Sequence, residues 1–240
     1  MSVFSKIFKS KEKNEMPDTT QYRYVCKCDD IVDITEIHIG ACFRVSVSEE
    51  INDVIVLVDQ KYKDNLIISL SDERQNPSYN KGKLTVNMSG TTVFTGYETA
   101  KVILPKSKLN LKKVELSGSA SMVGGHFNAI VTYITTSGSS EYNGTVNSKQ
   151  LMVYSSGSSR AAINGDGDSA VVESSGSSSV YMYNFNAKAV RVIASGASLT
   201  TVKASSTIIA RASGASDITI YGNPSSRDVR TSGAARIKDN

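Results

Sequence analysis

In the second half of the chain, hydrophobic positions alternate with polar ones, and the alternation repeats at a fixed spacing. The marker of this repeat is the tetrapeptide Ser-Gly-small-small, which occurs seven times with gaps of 18 to 20 residues between successive glycines. Its glycines are Gly118, Gly138, Gly157, Gly176, Gly196, Gly214 and Gly233. A flexible Gly/Ser linker has no reason to keep such a spacing, so the repeat indicates a regular fold.

Each glycine occupies the same place in an alternation of period two. Positions two and four residues before it are apolar or small, whereas most of the charged residues fall at odd positions. The position four residues before the glycine holds Val114, Ile134, Val153, Val172, Val192, Ala210 and Val229. A period of two with β-branched residues predicts strands that bury one face. We therefore expect this column, including Val229, to be buried.

A repeat of about 19 residues fits one coil of a parallel β-helix, with two or three short strands per turn. It is too short for a propeller blade, which needs about 40 residues. Stacked coils place equivalent residues about 4.8 Å apart, so that each column becomes a ladder. The sequence therefore predicts an all-β fold, a single-stranded parallel β-helix solenoid, and the rule for crossover connections predicts that it is right-handed.

The first half of the chain lacks the glycine repeat but contains strand-like segments separated by turn signals such as Asn76-Pro77. We expect one β-helix domain over residues 20–240, with irregular charged coils over 20–115 and regular coils over 116–240. A separate N-terminal sandwich is the alternative. Residues 1–19 are predicted to be a tail or cap. Residues 1–13 also mix apolar and lysine positions at helical spacing, which fits weak contact with a membrane surface or a partner.

The segments around the first repeat resemble a known family. The similarity is carried by Ile103-Leu104-Pro105, Leu109, Val114-Glu115-Leu116-Ser117-Gly118-Ser119-Ala120, the later tetrapeptides and Ile220-Tyr221-Gly222-Asn223-Pro224. They are similar to the putative auto-transporter adhesin family, head GIN domain, of Bacteroidetes, over roughly residues 30–237. The resemblance implies a parallel β-helix, usually in secreted or cell-envelope proteins, and brings no activity with it. No signal peptide is visible in this chain, so the sequence leaves the localisation open.

Composition narrows the function classes. The 240 residues carry 27 basic and 23 acidic side chains, and the net charge of +4 is too mild and scattered to argue for nucleic acid. No stretch approaches 18 apolar residues, so no transmembrane helix is predicted. We expect no cofactor and no metal site, because Cys26, Cys28 and Cys42 lack a fourth zinc ligand. Buried free thiols are favoured, and a disulfide from Cys42 to Cys26 or Cys28 is the alternative for an exported chain.

Pectin-cleaving enzymes also use parallel β-helices, so a carbohydrate-active enzyme, a pectinase-like hydrolase or lyase, is the alternative function. That chemistry needs clustered carboxylates on neighbouring coils. In the repeat region only Asp166 and Asp168 lie close in sequence, and a Gly/Asp turn explains them; Asp168 could pair with Lys188 on an adjacent coil. The chain has no Gly-x-Ser-x-Gly, and His38 and His126 fit a strand and a turn. We therefore predict no catalytic residues and no enzyme.

Two outward columns, five and three residues before each glycine, carry apolar and aromatic side chains. We call five of these residues the outer patch, and they are Tyr133, Met152, Tyr154, Val171 and Ile193. Exposed patches of several hundred Å² usually mark an interface, although the N-terminal segment or a long turn would also explain the patch by covering it. We expect a non-enzymatic binding or structural module, adhesin-like, that contacts a glycan or a protein or forms a homo-oligomer through the patch.

Overall fold

The computed structural model describes residues 21–27, 33–71, 82–89, 100–127 and 129–240. Short 3-10 turns occupy Gln60–Asn65 and Lys106–Lys108. The strands of the described residues are β1 (Gln21–Cys26), β2 (Ile34–Ile39), β3 (Arg44–Ser48), β4 (Val54–Asp59), β5 (Leu66–Ser71), β6 (Lys83–Met88), β7 (Lys101–Pro105), β8 (Leu109–Leu116), β9 (Ser121–Val123), β10 (Ala129–Thr136), β11 (Glu141–Ser155), β12 (Arg160–Ser174), β13 (Ser179–Ala194), β14 (Leu199–Ala212), β15 (Asp217–Tyr221), β16 (Ser226–Thr231) and β17 (Arg236–Asp239).

Parallel strands stack from β8 onward at the spacing of the repeat, and they form a β-solenoid of about seven turns, about 19 residues apart. The predicted buried column is one continuous ladder, whose successive partners are Val114, Ile134, Val153, Val172 and Val192. The all-β parallel β-helix fold is therefore confirmed. Its handedness stays a prediction.

The seven repeat glycines form the corners of the coils, with φ between +66° and +72°. A side chain is disfavoured in this left-handed region. Stacking adds a second constraint, because a Cβ on Gly157 would lie 2.7 Å from the carbonyl oxygen of Gly138. That same carbonyl accepts a hydrogen bond from the Ser158 amide at 2.7 Å. The corner is thus a ladder of backbone groups without room for a β-carbon.

The corners divide each coil into two faces, which we name by their position relative to the glycine. The pre-glycine face contains β8, β10, the second halves of β11 to β14, and β16. The post-glycine face contains β9, the first halves of β11 to β14, β15 and β17. Residues at odd offsets from the glycine point outward from both faces.

The serine two residues after the corner glycine belongs to the fold. Its hydroxyl is buried and bonds to a backbone carbonyl of the preceding coil, as in Ser140 to Leu116 at 3.1 Å and Ser178 to Ser155 at 3.1 Å. Each of these carbonyls also accepts a backbone amide, from Ser137 to Leu116 and from Ser175 to Ser155, so the buried hydroxyl finds its partner on the corner backbone. The serines that flank the glycine are more exposed, as at Ser139, Ser158 and Ser177.

An eighth corner, at Ala41, continues the stack below β8. The strands on either side of it, β2 and β3, pair in parallel with β8 and β9. The Ser119 amide donates to the Ala41 carbonyl, just as Ser158 donates to Gly138. Ala41 has φ +52° and is the only residue other than glycine with positive φ in the described part of the chain. An alanine thus occupies a position for which the other corners use glycine.

The coil formed by β2 and β3 is inserted between two later segments of the chain. On its other side β2 pairs with β6 and β3 pairs with β7, although both precede β8 in the sequence. Beyond β6 and β7 the pairing turns antiparallel, in the pairs β5–β6, β4–β7 and β1–β4. The sequence predicted parallel coils here as well. Antiparallel neighbours need only a reversing turn, whereas a parallel neighbour needs a whole coil of crossover.

The column of β-branched residues is buried as predicted, except at one end. Val172 and Val192 are fully buried, but Val229 is 43% exposed. The prediction is wrong at Val229 because β16 pairs with β14 on one side and has no described strand on the other. A position that faces inward is covered only where coils stack on both sides of it.

The predicted N-terminal tail or cap, 1–19, and Cys28 lie outside the described residues, so the domain boundaries stay a prediction. Cys42 carries a free, half-buried thiol, and burial raises the pKa of that thiol. Cys26 is half-buried and packs against the core. The helical segments that the structure describes are all too short or too polar to cross a membrane.

Replacing Ala41 with Gly should stabilise the protein by about 0.5–1 kcal/mol. A left-handed conformation costs a residue with a β-carbon about 1–2 kcal/mol, and the greater entropy of glycine in the unfolded chain offsets part of this gain. Thermal unfolding followed by circular dichroism measures the effect. The matched control, Ala162→Gly within strand β12, should lower the melting temperature. An unchanged or lower melting temperature for Ala41→Gly would show that the alanine corner carries no strain.

Candidate functional site

Four of the five outer-patch residues adjoin on the outward side of the pre-glycine face. Tyr133, Met152 and Val171 are successive ladder partners on β10, β11 and β12. Tyr154 follows Met152 by two residues on β11, and its hydroxyl donates to the Met152 Sδ at 3.8 Å. Tyr133 is 37% exposed, and the other three are half-buried. These side chains form a continuous apolar surface across three neighbouring strands.

Ile193 lies apart from the other four residues. In its column Glu173 separates it from Tyr154, and Arg211 is its partner on the next coil. Arg191 lies beside it on β13 and is the ladder partner of Val171. The apolar surface is therefore bordered by a carboxylate and two guanidinium groups on the β12–β14 side.

A compact charged cluster borders the patch on the β8 side. The Glu115 carboxylate lies 2.5 Å from His38 Nδ1 and 2.5 Å from Lys113 Nζ, and Glu36 lies 3.6 Å from His38 Nε2. Burial lowers the pKa of His38, although Glu115 opposes this effect. Both ring nitrogens face carboxylates, so neither is directed at a serine hydroxyl as a catalytic triad would require. The arrangement supports the interpretation of His38 as a strand residue.

A gap in the sheet adjoins the patch at Tyr133. The β8–β10 ladder begins at the pair Lys113–Tyr133, and the preceding bridge joins Leu111 to Phe127. Residues 129–132, between these two pairings, have no ladder partner on β8, and a cavity of about 560 Å³ opens beside them. The cavity is lined by Glu36, Lys112, Lys113, Ala129, Ile130, Val131 and Tyr133. Ile130 is 70% exposed and extends the apolar surface beyond the patch.

The two aspartates that the sequence singled out lie at a second cavity, of about 520 Å³, but both are engaged. Asp166 accepts a hydrogen bond from Asn186 at 2.8 Å, and Asp168 accepts one from Lys188 at 2.8 Å. The second contact is the ion pair expected from the sequence. Lys188 lowers the pKa of Asp168, whereas a general acid needs a raised pKa. In the described part of the chain, no group of three His, Cys, Asp or Glu side chains is arranged to hold a metal ion.

We predict no turnover of polygalacturonate, with or without added calcium, because the Asp166 and Asp168 carboxylates are held as ion-pair and hydrogen-bond acceptors. The measurement is the release of reducing ends and of unsaturated products. Turnover that is lost in Asp166→Asn or Asp168→Asn, with an unchanged melting temperature, would contradict the prediction and support the enzyme alternative.

The post-glycine face carries an aromatic group that the sequence analysis missed. Tyr183 is 48% exposed, and its ring centroid lies 6.1 Å from that of Tyr221. Arg160 lies 5.9 Å over the ring of Tyr181. The tyrosines lie five or seven residues after a corner glycine. These are odd offsets, so the alternation of the sequence could have predicted that they point outward. They supply a matched reference for variants of the outer patch.

The fold and the surface together define a β-solenoid protein with a candidate docking face, in which Asp168, Asp217, Asp228 and Asp239 of the repeat region form ion pairs. The chain belongs to the family described as putative auto-transporter adhesin, head GIN domain, whose model matches residues 35–224. This confirms the resemblance identified in the sequence. No curated protein matches the chain by sequence.

Solved structures share the fold at low sequence identity. One is a putative adhesin from Bacteroides fragilis, with 16% identity, a TM-score of 0.73, and coverage of 93% of this chain and 99% of that chain. Another is a putative adhesin from Parabacteroides merdae, with 14% identity, a TM-score of 0.63, and coverage of 93% and 97%. A putative lipid binding protein from Parabacteroides distasonis has 16% identity, a TM-score of 0.60, and coverage of 93% and 98%.

Proposed function

We propose that this protein is a non-enzymatic, adhesin-like binding module whose outer patch contacts a protein. The observation that carries the proposal is the continuous surface of Tyr133, Met152, Tyr154 and Val171 with charged residues on both borders. An apolar centre with Tyr and Met inside a polar rim is the usual composition of a protein interface. The family description and the names of the similar structures support an adhesive role.

The chemistry of the patch favours a protein over a glycan. Met152 and Val171 offer aliphatic surface without hydrogen-bonding groups, whereas small-ligand sites are concave and place several polar groups around the ligand. The patch instead follows the outer side of a sheet. Tyr133 and Tyr154 provide large contact areas at low cost in side-chain entropy, which is typical of anchor residues in protein interfaces.

The double variant Tyr133→Ser/Tyr154→Ser should weaken partner binding by at least about tenfold, the loss expected from removing two interface anchors. Its melting temperature should change little because both side chains lie on the outer surface. Binding is measured on an array that carries purified proteins, purified glycans and this chain itself. We expect signal on protein spots that the double variant loses.

The matched control is Tyr181→Ser/Tyr183→Ser, which removes two outward tyrosines from the opposite face. It should bind as the unaltered chain does. A double outer-patch variant that melts markedly lower and binds normally per folded molecule would identify the patch as an internal seam covered by another segment. Binding confined to glycan spots would instead replace the protein partner with a sugar.

A further inference from the structure

We propose that the partner of the outer patch is a second copy of this chain, related by a two-fold axis parallel to the strands. The inference rests on the proposed function and names the partner. The outward side chains of the pre-glycine face carry this inference. When a second copy faces the first with its coils in the reverse order, most of these side chains meet a complementary partner.

The geometry follows from the ladders. A two-fold axis parallel to the strands keeps every column in place and reverses the order of the coils. If the axis passes between β11 and β12, it sets β11 against β12, β10 against β13, and β8 against β14 of the second copy. Each outward residue then faces the residue of the same column on the paired strand of the second copy.

Four of the six facing pairs match in charge or polarity. Acid meets base, aliphatic meets aliphatic, a guanidinium meets an aromatic ring, and a phenol hydroxyl meets a carboxylate. The pairs are Glu115 with Arg211, Met152 with Val171, Arg191 with Tyr133, and Tyr154 with Glu173, and each occurs twice by symmetry. Charge pairs and cation–π contacts of this kind fix register in interfaces.

Two pairs are unlike, because Lys113 faces Ile209 of the second copy and Thr135 faces Ile193. The Lys113 ammonium is held by Glu115 of its own chain at 2.5 Å, so its aliphatic stem is free to cover Ile209. Long basic side chains commonly cover apolar surface in this way.

Several other symmetric arrangements bring like charges together. An axis along the solenoid that lies over the column of Lys113 would place Lys113 on Lys113 and Arg191 on Arg191. Moving the chosen axis onto β11 would set Lys113 against Arg191, and moving it onto β12 would set Glu173 against itself. Like charges across an interface are strongly unfavourable, so these three arrangements are disfavoured.

The contact is small. Six strands span five spacings of about 4.8 Å, and five residues along each strand span about 17 Å, so each copy contributes roughly 400 Å². Stable interfaces bury about 800 Å² per partner. The match also ends at the sixth strand, because Glu36 would face Asp228 on the next one. We therefore expect a weak, reversible dimer. Its overall binding becomes strong only where many copies are presented together, because multivalent contacts raise the avidity.

The test is sedimentation velocity of the full chain in a concentration series up to about 1 mM, as suits a small interface. The unaltered chain should show a reversible monomer–dimer equilibrium. Glu115→Arg alone and Arg211→Glu alone should each weaken it at least about tenfold, because each sets two like charges against each other. An equimolar mixture of the two variants should restore dimers, since all four charges are then complementary. Lys101→Glu, on β7 of the opposite face, is the matched control and should dimerise normally.

Each outcome decides the proposal. A chain that remains monomeric throughout, or a mixture that fails to restore dimers, overturns the two-fold pairing. If a charge-reversed variant does not fold, Met152→Glu and Val171→Lys serve as the second pair, because the same rotation sets these two residues against each other. Patch-dependent array binding by a chain that sediments only as a monomer would leave the proposed function standing and overturn this inference.

Discussion

Val172→Asp is expected to lower the free energy of unfolding by about 3–5 kcal/mol, which is the usual cost of an uncompensated buried charge. Val172 is fully buried between Val153 and Val192 in the central ladder of the pre-glycine face. A carboxylate there has apolar neighbours above and below and no exposure to solvent. Urea unfolding followed by circular dichroism measures the loss, which for a marginally stable domain removes much of its stability.

Its chain neighbour Val171 gives the matched control, because the alternation of the strand turns that side chain outward. Val171→Asp should cost well under half as much, about 1 kcal/mol or less, as is usual for surface substitutions. Equal losses at the two positions would mean that the inward and outward faces of β12 are wrongly assigned, and the fold would have to be reconsidered.

Gly157→Ala should destabilise the protein by about 2–4 kcal/mol. The left-handed conformation alone costs about 1–2 kcal/mol for alanine, and the added Cβ would lie 2.7 Å from the Gly138 carbonyl oxygen. That oxygen belongs to the backbone of the adjacent coil and accepts the Ser158 amide, so it cannot move without loss of a hydrogen bond. Chemical unfolding gives the free energy.

The control for this prediction is Ser158→Ala, which changes an exposed side chain on the same corner and should alter stability by less than about 0.5 kcal/mol. If Gly157→Ala were equally mild, the coils would have to separate at the corner more easily than the hydrogen-bonded ladder suggests.

The regular coils were predictable because a single constraint repeats in them. Each corner needs glycine for its conformation and for its close packing, so the sequence of every coil carries the same marker. Ala41 shows the limit of that signal. Beneath it the described residues include no glycine corner with which a β-carbon would collide, so alanine is tolerated there. Because this corner lacks a glycine, the glycine spacing does not predict its coil. The antiparallel strands near it depend on which distant segment lies alongside, which local sequence does not encode.

The candidate site was predictable in its columns but not in its borders. The alternation of the sequence predicts that Tyr133, Met152 and Val171 share one outward row, and they are successive partners in the strand ladders. The grouping of His38 with Glu115 depends on the insertion of β2 beside β8, between residues far apart in sequence. The gap at residues 129–132 depends on where the β8–β10 ladder begins. Contacts of this type follow from tertiary pairing, and one sequence does not reveal them.

The inserted β2–β3 coil sets the order in which the molecule can assemble. Regular coils interact only with their neighbours, so they can be added one after another as the chain emerges, and the coil at β16 can fray without disturbing the rest. The β2–β3 coil must wait for two later segments, because Ile37 pairs with Leu84 on one side and with Val114 on the other. Closing that long loop raises the contact order and slows folding. The amino-terminal half, up to β8, should therefore form and open as one cooperative unit, later than a regular coil of the same length would.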